Sequence, residues 1–147
     1  MRLILCPLTL AAVLVGPALA ADKLIPATAA GAVGEHRGKP WLEPLTNCAG
    51  FHAWNGRNLK QAGDTKGAWD EAGKTADFMT AAANRVSQDR SVTYDQAFAG
   101  NQRPIKNVMT YLDMEMVPPD VADWTQHCQE ILAGYRKAFP SQGAQGG

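Results

Sequence analysis

The sequence predicts an all-α fold. It is a small antiparallel four-helix bundle, or a five-helix bundle if the third segment is broken at Pro104, with one disulfide joining the first and last helices. Three observations carry this expectation. Apolar residues recur at helical spacing in four segments between about Trp41 and Phe139. No alternating run of β-branched residues is long enough to read as a strand. Two cysteines, Cys48 and Cys128, remain after removal of an export signal, each at the centre of an apolar stripe.

The export signal occupies residues 1–20. Arg2 supplies the positive start, an apolar run extends from Leu3 to Val15, and Gly16-Pro17 breaks it. Ala18-Leu19-Ala20 then matches the small-residue cleavage pattern, with the cut between Ala20 and Ala21. The mature chain is therefore expected in the periplasm or secreted. Residues 21–40 are rich in Ala, Gly and Pro without periodicity and read as a flexible N-terminal arm. A helical bundle domain is expected over 41–139 and a flexible tail over 140–147.

The first helix runs from Leu42 or Pro44 to Ala62, where Gly63 suits the residue after a helix end. At 100° per residue, Leu45, Cys48, Phe51, Leu59 and Ala62 share one face with His52 and Asn55. The second helix starts at an Asp64 or Thr65 cap and reaches about Asp89. Its stripe is mostly alanine (Ala68, Ala72, Ala76, Ala83, with Met79 and Val86), and small residues let a neighbouring helix approach closely; Trp69 lies at one edge.

The third segment starts at a Thr93 cap and carries Tyr94, Phe98, Ile105, Val108, Leu112 and Met116 on one face. Pro104 removes a backbone donor and crowds the preceding turn, which favours a break over a kink. The last helix follows Pro118-Pro119-Asp120. It presents Val121, Trp124, Cys128, Ile131, Leu132, Tyr135 and Phe139, with Arg136 and Lys137 suited to the dipole of its final turn. A Cys48–Cys128 bond closes a loop of about 80 residues, worth roughly 4 kcal/mol in the chain-entropy treatment.

Composition narrows the function. The mature chain of 127 residues has 13 basic and 14 acidic side chains, and a net charge of −1 provides no field for nucleic acid or an anionic membrane. No second apolar run is long enough to span a bilayer. Motifs for a serine nucleophile, a zinc protease, a phosphate loop, a redox dithiol or a c-type haem are missing. The Cys48-Ala-Gly-Phe-His52 stretch shares with secreted phospholipases A2 only a histidine one turn after a cysteine. Ala53 stands where that family has Asp, and no calcium loop precedes it, so the likeness is set aside.

Two sites are expected. His52, Asn55 and Trp124 lie on turns adjoining the disulfide and form a candidate ligand pocket. Trp54, about 120° from Cys48 on the helical wheel, forms with Asn58 a candidate partner-binding surface. His52 and His127 are too few for a structural zinc site, so no metal is expected. No cofactor is expected either, since a b-type haem has only His52 and Met79 as inward axial candidates, and Met114 and Met116 read as packing rather than a copper pair. The functional expectation is an exported, non-catalytic interaction or accessory module of the periplasm or cell exterior, partnered by another protein. The alternative is a small-molecule, cofactor or metal binder using an inter-helix pocket near His52. An enzyme is a minor third option.

Overall fold

The computed structural model describes residues 21–115 and 119–141. The export signal expected over 1–20, the end of the tail (142–147) and Met116 lie outside the described residues. The described chain forms α1 (Gly31–Gly34), α2 (Leu42–Gln61), α3 (Thr65–Arg90), α4 (Tyr94–Met114) and α5 (Val121–Ala138), and among these residues there is no named strand.

Three of the helices, α3, α4 and α5, start where a side chain satisfies free backbone N–H groups. Asp64 accepts from the Gly67 N–H, Thr93 and Gln96 cap each other's backbone reciprocally, and Asp120 accepts from the N–H groups of Ala122 and Asp123. Gly63, at φ +86°, turns the chain after α2, a conformation open to glycine without penalty.

α2 is the central helix and packs against α3, α4 and α5. Its approach to α4 is set by Gly50. A Cβ there would lie 2.6 Å from the Val108 Cβ and 3.0 Å from the Ile105 carbonyl oxygen, so only glycine allows this contact. The Cys48–Cys128 disulfide joins α2 to α5 with Cα atoms 5.5 Å apart, and both cysteines are buried. Leu45, Phe51, Phe78, Ala82, Ile131 and Tyr135 fill the core around it. The Tyr135 hydroxyl donates to the Ala81 carbonyl on α3, and burial pushes its phenol up to about 12.

Three expectations need correction. First, α4 is unbroken through Pro104. The carbonyl that Pro104 cannot pair belongs to Gly100, which is exposed and can be served by water, so the missing bond is tolerated. The fifth helix is instead the short α1. Second, residues 21–40 are not a free arm. Ile25 is 1 % exposed within the core, and its backbone pairs with Lys39 and Gly38. The Lys23 N–H bonds Asp89 at 2.8 Å and the Ala32 N–H bonds Glu130 at 3.2 Å. Val33 sits so close to Gly134 that a Cβ there would be 2.5 Å from its Cγ2. Asp22 pairs with Arg90, and that guanidinium holds the Asp22 carboxyl below its ordinary range. Third, the alanine stripe of α3 is only partly covered. Ala72 and Ala76 are exposed, while Ala83 and Val86 are buried as expected, on a face that also carries Glu71, Phe78, Ala82, Arg85 and Asp89.

If the arm is docked by its one large apolar anchor, Ile25→Ala will cost about 2–4 kcal/mol, the ordinary range for emptying a core position. Urea unfolding of the mature protein measures this. A loss below about 0.5 kcal/mol, typical of surface positions, would mean the arm is not held.

Candidate functional site

The candidate site lies between α2 and α3, where the two helices meet through a polar pair. His52 is one turn beyond Cys48 on α2, and Glu71 projects from the buried face of α3. The His52 Nδ1 and a Glu71 carboxylate oxygen are 2.6 Å apart, and both side chains are almost fully buried. Lys74 donates to the other Glu71 oxygen at 2.6 Å. The His52 ring stacks on Phe78, with centroids 5.5 Å apart, and meets Phe51 edge-on at 5.1 Å.

The charge states follow from the surroundings. Burial holds the His52 imidazole below its ordinary value of 6.5, although the Glu71 carboxylate pulls the other way. Burial alone would raise the Glu71 carboxyl, but hydrogen bonds from Lys74 and His52 outweigh it and leave the group below its ordinary range. The pair is therefore a neutral imidazole donating its Nδ1–H to an ionised carboxylate. The second ring nitrogen, Nε2, is left for whatever enters the space beside it.

That space is a cleft of about 410 Å³. Ala53 and Gly56 of α2 and Ala68, Trp69 and Ala72 of α3 wall it, and His52, Arg57 and Lys60 also line it. The helices approach closely at Gly56, where a Cβ would be 3.1 Å from the Glu71 Cβ. The flank carrying Ala68, Trp69 and Ala72 stays uncovered, and Trp69 is 74 % exposed. The exposed indole and the alanines give the cleft an apolar wall of the kind small-ligand sites use.

The predicted site residues are distributed differently from the expectation. His52 lines the cleft. Asn55 is buried on α2 and is not among the residues that line it. Trp124 lies across Phe51, stacked at 5.1 Å, and lines a second cleft. The trio therefore divides between two places. Trp54 is not a surface anchor. It is 9 % exposed, stacks on Phe51, and donates its indole N–H to Asp113 at 3.0 Å. The helical wheel measured Trp54 from Cys48 alone, whereas α2 is surrounded on three sides, so positions well off the disulfide axis are also covered. Asn58 remains half-exposed without it.

Glu71 and Trp69 were the residues that sequence reasoning missed. Trp69 was visible only as an edge residue of a stripe assumed to be covered. Glu71 is 19 positions from its partner, and no short motif joins them.

The second cleft, about 390 Å³, is lined by Glu35, His36, Asp123, Trp124 and His127. The Nε2 atoms of His36 and His127 are 3.4 Å apart. The His36 Nδ1 is buried without a partner among the described residues, so a proton there would go unsatisfied. This assigns the proton to Nε2, which donates to His127, whose Nδ1 lies 3.8 Å from the Glu35 carboxylate. Burial, then the neighbouring His127 and Lys39, hold the His36 imidazole below its ordinary value. His52 and His127 thus serve different clefts. Among the described residues no group of three or more His, Cys, Asp or Glu side chains is arranged to hold a metal.

Comparison with protein families, characterised proteins and solved structures finds no match to this chain.

Both His36 and His52 have depressed pKa values in the folded state. The unfolded chain therefore binds more protons as pH falls below about 6.5. Stability should be fully present well above that value and decline as the pH falls through it, over a scan from about 7.5 to about 5.5. Melting curves across this range check the sign, and His52→Gln should flatten part of the slope. A melting temperature that rises on acidification would contradict the neutral assignments.

Proposed function

We propose that the protein is an exported, non-catalytic binding module that takes a small molecule into the α2–α3 cleft. The observation that carries this reading is the buried His52–Glu71 pair bordering an open, alanine-walled cleft beside an exposed Trp69. Ligand sites commonly combine a mostly apolar wall with a few fixed polar groups, and this arrangement has both. Export is supported by the Arg2 to Ala20 pattern, by the buried disulfide, and by the lack, among the described residues, of a helix long and apolar enough to cross a membrane.

The small-ligand reading now stands ahead of the protein-partner module. The partner surface rested on an exposed Trp54, and that ring is packed inside. Catalysis has less support again. Cys48 and Cys128 are bonded to each other and the Thr75 hydroxyl donates to the Glu71 carbonyl, so of these groups and the cleft's hydroxyls only that of Thr65 is left, and no hydrogen bond joins it to His52.

Fragment screening by two-dimensional NMR tests the proposal. Shift changes should concentrate on Ala53, Gly56, Ala68, Ala72 and the Trp69 indole. They should vanish in Ala72→Trp, which fills the cleft from an exposed helix position. Hits scattered over the surface, or unchanged by that substitution, would refute the reading.

A further inference from the structure

The cleft carries a charge pattern that its apolar wall does not explain. Arg57 and Lys60, one turn apart on α2, both line it, and no carboxylate is among the lining residues. The nearby Glu71 is already committed to His52 and Lys74. Lys60 makes no ion pair among the described residues. Arg57 binds Asp113 through one terminal nitrogen, yet its Nε is a buried donor with no acceptor among the described residues. The rest of the Arg57 guanidinium is partly exposed at the cleft wall, and with the Lys60 ammonium it gives an anionic ligand two cationic donors.

From the cleft and these two cations together, we infer that the ligand is an amphipathic anion. Its flat or aliphatic body lies against Trp69, Ala68 and Ala72. Its carboxylate, or a comparable acidic group, is held by the Arg57 guanidinium and Lys60. The neutral His52, through Nε2, offers an acceptor to any hydroxyl or amide N–H on the body, so the site distinguishes an acid bearing such a donor from a plain hydrocarbon. A cationic ligand is disfavoured, since both charges it would meet are positive. This inference rests on the α2–α3 cleft being the binding site.

A matched pair of fluorescent probes separates the two claims. 1-Anilinonaphthalene-8-sulfonate and N-phenyl-1-naphthylamine share one aromatic body and differ by the sulfonate. The folded, oxidised mature protein should bind the sulfonate at least about tenfold more tightly, the discrimination expected of one charge-assisted contact. In Lys60→Ala and Arg57→Gln that ratio should fall towards one, while Lys60→Arg should retain it. Both probes should be displaced in Ala72→Trp. Equal affinities for the two probes, with both lost in Ala72→Trp, would overturn the anionic class and leave the cleft in place. Binding of either probe that persists in Ala72→Trp would overturn the cleft itself.

Discussion

The disulfide between Cys48 and Cys128 is the constraint on which the rest of the structure depends. It fixes α5 against α2 through two fully buried cysteines. Closing a loop of 80 residues removes much of the freedom of the unfolded chain. Its local consequence is the placement of α5, which in turn receives residues 21–40. The Ala32 N–H meets Glu130, Val33 packs on Gly134, and His36 meets His127, all on α5. Trp41, at the end of the same segment, packs edge-on against Tyr135 and Phe139. Without α5 in place, the N-terminal segment would lose most of the surface it docks on.

The other side of α2 answers to different contacts. Gly50 lets α4 approach to backbone contact, and Gly56 lets α3 approach at Glu71. Between these contacts lies the buried His52–Glu71 pair, a neutral imidazole donating to a carboxylate that Lys74 also holds. A polar pair in a core must be hydrogen-bonded to be tolerated, and these bonds meet that need. The second buried pair, Arg85 with Asp89, differs in kind. Its Arg85 stacks on Phe139 at 4.4 Å and its Asp89 holds the Lys23 N–H, so both partners have structural uses.

Much of the fold was legible in the sequence because helix ends are local chemistry. The Asp64, Thr93 and Asp120 caps, and the stripes that carry Cys48 and Cys128, lie within a few residues of what they determine. Features that depended on remote partners were not legible. Residues 21–40 lack periodicity because they dock through Ile25 and backbone hydrogen bonds rather than a helical face. Pro104 read as a break because its effect depends on whether the orphaned Gly100 carbonyl faces water. Of the candidate pocket, only His52 was placed at the cleft. Glu71 and Trp69 became recognisable once α3 was seen to turn its buried face away from Ala72 and Ala76.

The central claim is that an exported, disulfide-bonded chain carries an acidic small molecule in the α2–α3 cleft. Native mass spectrometry of the mature protein recovered from its own exported fraction tests it most directly. The oxidised chain should begin at Ala21, weigh two hydrogens less than its reduced form, and carry a non-covalent acidic adduct that is absent from Ala72→Trp. A wild-type chain carrying nothing that the filled variant lacks, or one with two free thiols, would contradict it.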